Sequence, residues 1–338
     1  MTGRWGPFGV VAFLLVAASA TLANRSPDCG CELPQEPAAS DSPVVHDPAV
    51  VKDGRLYVLF ATGVGIPTRT SKNLKTWSPE RRVFASPPDW AGKTIPGFKD
   101  HIWAPDVSRF GGKWHLYYAI STFGKNRSAI GHAMNETLDP ESPRYRWVDE
   151  GPVVQSTPAD DFNAIDPNVV LDSQGTPWLS FGSFWNGLRI EKLDKDGRLA
   201  EGAKPVAIAA RPHEGPQQPG AIEAPFIVRH GGFFYLFASF DFCCRGANST
   251  YNVRVGRGRE VTGPFVDREG KPMLEGGGTK VIEGGTRWRG PGGESVLQDG
   301  RGEVLAHHAY DAEDRGTPKL RLSKILWDRE GWPKVEQK

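Results

Sequence analysis

The stretch His46–Gly63, HDPAVVKDGRLYVLFATG, decides the fold. It begins with an acid and a proline, continues as a short apolar strand, turns at Asp53-Gly54 and ends in an aromatic-rich strand. An Asp-Gly pair between two apolar runs is a strong hairpin signal. The stretch therefore predicts two antiparallel strands that follow an acidic start.

The same plan returns four times along the chain. The further copies are Trp103–Phe123, Ile165–Phe184, Ile222–Asp241 and a weaker one, Glu294–Asp311. The proline that follows the start of each of the first four copies recurs about every 60 residues, and Ser295 is expected at this place in the fifth. A fixed period with two strands per copy and room for two more is typical of propeller blades. We predict an all-β fold, a five-bladed β-propeller in a single domain.

Two segments are expected to precede the propeller. Residues 1–23 carry Arg4, the apolar run Val10–Ala20 and small residues after it, a pattern typical of a signal peptide and too short to span a membrane. Residues 24–43 are rich in proline and serine, which indicates a linker. The propeller is then expected over residues 44–338, in a secreted or periplasmic protein.

The positions of the predicted strands indicate where each blade begins and ends. The third strands are predicted at Ser128–Met134, Leu188–Leu193, Tyr251–Gly256 and Leu320–Trp327. The second blade is expected to end near Glu150 and the fourth near Gly276. The way in which the last blade joins the first does not follow from this pattern.

Composition excludes several classes of partner. The chain has 41 basic and 40 acidic residues, so neither a nucleic acid nor an acidic membrane surface is expected as a partner. The four cysteines form two local pairs, Cys29/Cys31 and Cys243/Cys244, without the spacing of a zinc site. We expect them to be structural, and whether Cys243 and Cys244 form a disulfide is left open. A monomer is expected.

Acidic residues start most of the copies. The innermost strand of each blade lines the axis, so these residues should point into one axial cavity. They are Asp47, Asp106 (or Ala104), Asp166, Glu223 and Glu294. A single Asp-Pro pair is more often a turn than a site. Several carboxylates at matching positions are costly to bury, so together they indicate function.

Two carboxyl groups that face one pocket are the minimum machinery for cleaving a glycosidic bond. Glu223 lies between apolar residues, which should raise its pKa and make it the better acid, whereas Asp47 is the better base. Asp166, if ionised between them, should help to keep Glu223 protonated.

Eight motifs, which follow one another in a fixed order along the chain, make its resemblance to a known family specific. They are HDPAVV, WAPDV, STFGKNRSAIG, FNAIDPNVV, FGSFWNG, AIEAPF, CCRGANSTYN and HAYDAEDRGTPKL. From Val44 to Pro333 the chain resembles the endo-acting α-1,5-L-arabinanases of the five-bladed-propeller glycoside hydrolases, family forty-three. The resemblance implies Asp47 as general base, Glu223 as general acid and Asp166 as modulator of the acid. It also implies hydrolysis inside arabinan, a pectin side chain, with inversion and without an organic cofactor.

Aromatic and polar residues beside these motifs are candidates for substrate contact. Trp103, Phe123, Phe184 and Trp185 lie where the copies begin or end, near the expected mouth of the axis, and sugars stack on aromatic rings. The resemblance adds the stretches around Asn163 and Ser183. The predicted substrate residues are Trp103, Phe123, Asn163, Ser183, Phe184 and Trp185.

His307 and His308 precede Ala309-Tyr310-Asp311. A lone histidine in a strand is more often a core residue, but the resemblance implies His308 as ligand of a central Ca²⁺ ion held largely through waters. This chain has Gly292-Gly293-Glu294 where the relatives carry Gly-His-Asn, a departure that could alter the surroundings of the ion.

Three alternatives stay open. An exo-acting arabinofuranosidase or β-xylosidase of the same family would have loops that close one end of the groove, although the lack of room for a C-terminal β-sandwich favours the endo form. A non-catalytic sugar-binding propeller should lack at least one of the three acids, and a retaining fructan-cleaving propeller needs a nucleophile about 5 Å from its acid.

Overall fold

The computed structural model describes residues 42–213 and 220–336. The predicted signal peptide and residues 24–41 of the predicted linker lie outside these residues. Helical structure in the described part is limited to α1 (Ala91–Thr94) and three 3₁₀ turns, Gly246–Asn248, Met273–Glu275 and Ala312–Asp314. Among the described helices, none has the length and apolar character needed to cross a membrane.

Strands make up nearly all the remaining regular structure. In chain order they are β1 (Ala49–Asp53), β2 (Leu56–Phe60), β3 (Gly63–Val64), β4 (Pro67–Ser71), β5 (Arg81–Arg82), β6 (His101–Phe110), β7 (Lys113–Ile120), β8 (Ser128–Asn135), β9 (Val148–Ser156), β10 (Asn168–Leu171), β11 (Pro177–Phe181), β12 (Leu188–Lys192), β13 (Val206–Ala209), β14 (Ile222–His230), β15 (Phe233–Phe240), β16 (Asn252–Gly258), β17 (Thr279–Glu283), β18 (Trp288–Gln298), β19 (Glu303–Asp311), β20 (Thr317–Trp327) and β21 (Pro333–Val335).

These strands form five antiparallel sheets, which are the five blades of a single-domain β-propeller. The sheets run β1-β2-β4-β5, β3-β6-β7-β8-β9, β10-β11-β12-β13, β14-β15-β16-β17 and β18-β19-β20-β21. The predicted fold class is confirmed, and so are the predicted third strands. The two innermost strands of each blade are the hairpin that recurs in the sequence.

The hairpin turns follow from local sequence. Gly111-Gly112 and Gly231-Gly232 each connect an inner strand to its neighbour, and all four residues have positive φ. A two-residue turn of this kind needs φ > 0 at both positions, which glycine adopts without steric cost. The pairing of Phe110 with Lys113 closes the first of these turns.

Two predicted blade limits are wrong. Strand β9 pairs with β8 and continues to Ser156, so the second blade extends past Glu150. Strand β17 pairs with β16 and belongs to the fourth blade, which extends past Gly276. Both are outermost strands with partly exposed side chains, so neither carries the apolar pattern that marks an inner strand.

The core consists of five apolar clusters, one between each pair of adjacent blades. Side chains alternate along a strand, so each sheet contributes to two clusters. On β7, Tyr118 packs toward the first blade and Tyr117 toward the third. Burial on both faces explains why the second strands of the copies are almost continuously apolar.

Side-chain hydrogen bonds also join neighbouring blades near the axis. At three interfaces a polar side chain on one inner strand accepts a hydrogen bond from a backbone N–H of the next blade. We call these three hydrogen bonds the inter-blade latches. They are Asp106 Oδ2 with Val169 N–H (2.9 Å), Asn168 Oδ1 with Ile227 N–H (2.8 Å) and Ser295 Oγ with Val50 N–H (3.3 Å). Each one satisfies a backbone group that is buried between blades.

Among the described residues, the first and fifth blades do not exchange a strand, because β1, β2, β4 and β5 form the first blade and β18 to β21 form the fifth. Instead, residues 43–45 lie beside β20 of the fifth blade. Val45 N–H donates to Pro318 O (3.2 Å), and Leu320 N–H donates to Pro43 O (3.0 Å). The last residue of the predicted linker therefore takes part in the closure.

Candidate active site

One backbone feature repeats where the chain reaches the axis. In every blade one residue within the inner strand or shortly before it has a left-handed conformation: Asp47 (φ 47°), Ala104 (φ 40°), Asp166 (φ 56°), Ala224 (φ 52°) and Gly293 (φ 57°). Non-glycine residues adopt this region only when the fold holds them there, commonly at functional sites. The repeat places Glu294, not Ser295, at the position of the prolines, so the register expected for the fifth copy is wrong by one residue.

These five residues surround an axial cavity of about 30 Å³, enough for one or two water molecules. Four of the expected acids line it: Asp47, Asp106, Asp166 and Glu294. Glu223 precedes the left-handed residue of its blade, so Ala224 takes the axial place. The Glu223 side chain points instead toward the neighbouring strands.

The carboxylate of Asp47 has donors on one oxygen. Its Oδ2 accepts a hydrogen bond from Thr62 Oγ1 (2.6 Å) and lies 2.8 Å from His46 Nδ1. Burial favours the neutral acid, but His46, His308 and Thr62 together outweigh burial and lower the pKa of Asp47 to about 2. Oδ1 lies 3.7 Å from His308 Nδ1. Asp47 is thus ionised at neutral pH. Both close donors contact Oδ2, so Oδ1 is the oxygen with no close donor among the described residues.

The carboxyl group of Glu223 has two hydroxyl partners. Ser183 Oγ donates to Oε2 (2.7 Å), and Tyr251 OH donates to Oε1. Burial raises the pKa of Glu223 to about 7, against the Ser183 hydrogen bond, and the Asp47 carboxylate raises it further. Glu223 is therefore largely protonated below neutral pH.

Two further acids at the axis are Asp166, which is partly buried, and Glu294, which is buried. Asp166 Oδ2 accepts the Ala224 N–H (3.0 Å), which ties it to the residue after Glu223. Burial and the nearby Glu223 and Asp47 carboxylates raise the pKa of Asp166 well above its ordinary range. Burial likewise raises the pKa of Glu294 to about 8, although Ser239 Oγ donates to it (2.7 Å). The charge that raises the pKa of Glu223 is thus that of Asp47 rather than that of Asp166.

Asp106 lines the same cavity but is engaged elsewhere. Besides its latch to Val169, its Oδ1 accepts from Asn168 Nδ2 (3.2 Å). Burial raises the pKa of Asp106 to about 6. Its two acceptor oxygens serve the contact between the second and third blades, so we assign it a structural role.

The predicted substrate residues differ in exposure. Phe123 is 79% exposed, and Trp103, Phe184 and Trp185 are partly exposed, so their rings can accept a ligand. Phe184 and Trp185 also have left-handed backbones, with φ of 52° and 41°. The Phe184 ring lies 6.0 Å from that of Phe242.

The two polar residues of this predicted set are buried. Asn163 Oδ1 accepts from Ser128 Oγ (2.6 Å), and Ser183 contacts Glu223. The structure therefore places Ser183 against the acid, whereas Asn163 is buried against Ser128.

Of the adjacent histidines, only His308 has an unpartnered nitrogen among the described residues. His307 contacts the His308 carbonyl (3.0 Å) and Ser323 Oγ (3.2 Å), as expected of a core residue. His308 Nε2 is buried without a hydrogen-bond partner in the described part of the chain, whereas Nδ1 accepts the Asp47 N–H (3.2 Å).

These contacts test whether His308 could hold an ion. In the neutral ring that accepts at Nδ1, the hydrogen lies on Nε2. An ion on Nε2 requires the hydrogen at Nδ1 instead, where Asp47 Oδ1 is the nearby acceptor. His46 also lies within reach of Asp47 and His308, but both of its nitrogens have partners. His308 Nε2 thus offers one direct protein ligand to an ion, and binding there would remove the contact in which Nδ1 accepts the Asp47 N–H.

The family model for glycosyl hydrolases family 43 matches residues 41–333. The chain belongs to glycosyl hydrolases family 43. It is a glycoside hydrolase, and the match spans all five blades of the propeller.

Curated relatives and solved structures agree with the family. The chain is 45% identical to the extracellular exo-α-(1→5)-L-arabinofuranosidase of Cellvibrio japonicus, over 87% of each chain. It is 42% identical to the extracellular endo-α-(1→5)-L-arabinanase 1 of Bacillus subtilis, over 86% of this chain and 87% of the relative. A structure of Cellvibrio cellulosa α-L-arabinanase with arabinohexaose has a TM-score of 0.84 at 44% identity, covering 87% of this chain and 96% of that one.

Sequence reasoning missed several side chains of this family 43 site. Thr62 and Tyr310 reach the Asp47 side, and Tyr251 and Ser239 reach Glu223 and Glu294. Each lies on the second or third strand of a blade or within two residues of one of its ends, rather than at the start of a copy. Their alternation with apolar neighbours places them only once strand register is known.

Proposed function

We propose that the protein hydrolyses α-1,5-L-arabinofuranosidic bonds inside arabinan, with inversion. The observation that carries this proposal is a pair of carboxyl groups with opposite pKa shifts, the partly buried Asp47 and the buried Glu223, in a family 43 chain. The names of the similar proteins support arabinan as the substrate.

The proposed mechanism divides the work between the two acids. Glu223, protonated in its buried position, donates its proton to the oxygen of the leaving sugar. Asp47, ionised and held through Oδ2, removes a proton from the attacking water through Oδ1. Asp166 positions the chain beside Glu223 through the Ala224 N–H.

The aromatic side chains supply the proposed substrate surface. Trp103, Phe123, Phe184 and Trp185 have exposed ring area on which arabinofuranose rings can stack. Ser183 acts through Glu223, to which it donates, and the buried Asn163 accepts from Ser128, so its role is to hold the local structure.

We also propose that His308 Nε2 binds one Ca²⁺ ion whose other ligands are mostly waters. Such an ion would supply positive charge beside the buried carboxyl groups at the axis. Titration of the metal-free protein with Ca²⁺, followed by calorimetry and by Tm, tests this. Binding that is lost in His308→Ala but kept in His307→Gln supports the proposal, and equal binding by both variants contradicts it.

The products formed from debranched linear arabinan test the mode of attack. An endo enzyme releases mixed oligosaccharides early, and this release disappears in Glu223→Ala. Release of arabinose alone from the start would establish the exo mode, which the name of the Cellvibrio japonicus relative makes the second candidate. No release from arabinan would overturn the proposal in favour of a binding propeller.

Export and a monomeric state complete the proposal. The names of two similar proteins describe them as extracellular, which supports a signal peptide over residues 1–23 and a secreted or periplasmic protein. N-terminal sequencing of the exported protein and light scattering of the purified protein check these two points. An uncleaved N-terminus or a stable dimer would contradict them.

A further inference from the structure

We propose that His46 and Tyr310 act as positioning residues for the carboxylate of Asp47. The inference deepens the proposed function, because it requires Asp47 to be the general base. His46 contacts the carboxylate of Asp47 directly and Tyr310 contacts His46, so both act through Asp47.

A continuous chain of hydrogen bonds carries the inference. Cys244 N–H donates to Tyr310 OH (2.8 Å), and Tyr310 OH lies 2.8 Å from His46 Nε2. On the other side of the ring, His46 Nδ1 lies 2.8 Å from Asp47 Oδ2. If Tyr310 donates to Nε2, the neutral imidazole carries its hydrogen on Nδ1 and donates to the carboxylate. Every donor in the chain then has an acceptor.

The loop that begins this chain is constrained. Cys243 and Cys244 form a disulfide between adjacent residues, and Cys244 has a left-handed backbone with φ of 65°. Arg245 N–H is bonded to Ser249 Oγ (3.0 Å) in the same loop. The N–H that meets Tyr310 therefore comes from a backbone with little freedom to move.

The His46 ring is held from its face as well as its edge. It stacks on His308 with centroids 3.8 Å apart and an interplanar angle of 25°. Because His46 and Thr62 both bind Oδ2 of Asp47, the carboxylate cannot rotate without breaking a contact. This leaves Oδ1 in a fixed direction, which a general base requires to meet its water.

Two substitutions at His46 separate its two contacts. In His46→Asn the amide nitrogen lies at the distance of Nδ1 from the backbone and can still donate to Asp47. In His46→Gln the amide lies at the distance of Nε2, so it meets Tyr310 and leaves Asp47 without this donor. Tyr310→Phe removes the hydroxyl that holds both His46 and the Cys244 N–H.

We expect His46→Gln to lower kcat by about 10- to 100-fold with little change in KM, since displacement of a reacting group by about 1 Å can cost this much. His46→Asn should stay within about fivefold of the wild type, and Tyr310→Phe should lie between them. On aryl arabinotriosides, the loss in His46→Gln should be equal for good and poor leaving groups, because the base acts on water rather than on the departing oxygen.

His230 offers matched control variants. Like His46, it contacts a carboxylate (Glu303 Oε1, 3.1 Å) and stacks on another ring (Trp327, 3.8 Å), but it lies outside the site. His230→Asn and His230→Gln should leave kcat unchanged. Tm of every variant distinguishes a folding defect from a catalytic one.

Equal kcat in His46→Gln, His46→Asn and the wild type overturns the positioning role while the proposed function stands. A loss in His46→Gln confined to poor leaving groups also overturns it, because that pattern belongs to the acid. A wild-type protein without activity on arabinan and on the arabinotriosides removes the proposed function itself.

Discussion

The two ends of the proposed acid–base pair occupy similar places but have different surroundings. Asp47 is partly buried shortly before the inner strand of its blade, and Glu223 is buried near the start of its own. Asp47 has an imidazole and a hydroxyl on a single oxygen, whereas Glu223 has one neutral hydroxyl on each oxygen. The pKa of Asp47 falls to about 2 and that of Glu223 rises to about 7.

The difference shows that burial alone does not assign the roles, since burial pushes both pKa values upward. The contacts with His46, His308 and Thr62 reverse the shift in the pKa of Asp47. The Asp47 carboxylate then raises the pKa of Glu223. The negative charge of Asp47 in the first blade thus helps to keep Glu223 in the fourth blade protonated.

The largest effect should come from removing the base. Asp47→Asn should lower kcat on arabinan by about 100- to 10,000-fold, because the amide cannot accept the proton of the water. Asp106→Asn is the matched control: it lines the same cavity, and its remaining oxygen can keep the Val169 latch. Initial rates of the two variants decide whether the cavity acids have different roles. Comparable losses of kcat in Asp47→Asn and Asp106→Asn would show that these two acids do not differ in role.

A smaller effect is expected from Tyr251→Phe, which removes the donor to Glu223 Oε1. A hydrogen bond to a charged group contributes about 1.5–3 kcal/mol, so kcat/KM should fall roughly 10- to 100-fold. Tyr57→Phe is the control, because Tyr57 is a buried tyrosine whose hydroxyl donates to a remote carboxylate, that of Asp299 (2.7 Å). An unchanged rate in Tyr251→Phe would show that its hydroxyl does not hold the acid in place.

The dependence of kcat/KM on pH tests the protonation state of Glu223 while both acids are kept in place. Activity requires protonated Glu223, so kcat/KM should fall as pH rises through about 7. Ser183 stabilises the ionised form of Glu223, so Ser183→Ala should raise this pKa and move the alkaline limb upward by about one pH unit. Ser180→Ala, a buried serine bonded to Asn168, should leave the limb in place. A downward shift in Ser183→Ala would reverse the sign of the argument.

The smallest effect on activity is expected at a latch. Asn168→Ala leaves the buried Ile227 N–H without its acceptor and should cost about 1–3 kcal/mol of unfolding free energy, which lowers Tm by roughly 5 °C. The rate at 25 °C should stay close to that of the wild type. Gln174→Ala, in an exposed turn, is the control for Tm. An unchanged Tm in Asn168→Ala would mean that the latch adds no stability.

The repeat in the sequence predicted the architecture because an inner hairpin has a strong local pattern. His46–Gly63 and its copies carry the turn, the apolar run and the acid together, and the structure confirms five blades. The outermost strands β9 and β17 have no such pattern. Their membership depends on their pairing with β8 and β16, and the sequence pattern does not mark that pairing.

The candidate acids could also be found from the sequence, because they stand at matching positions of the copies. Their surroundings could not. His46 was visible only as the neighbour of Asp47, and Tyr310 lies 264 residues away from it. The disulfide between Cys243 and Cys244 was left open by the sequence and is present in the structure.

The central claim is that Asp47 is the base and Glu223 the acid. The most direct test is the rate of Asp47→Asn and Glu223→Gln on aryl arabinotriosides whose phenols differ in acidity. In Glu223→Gln the loss should shrink as the leaving group improves, because a good leaving group needs no proton. In Asp47→Asn the loss should be the same for all leaving groups. The reverse pattern, or the same pattern in both variants, would contradict the assignment.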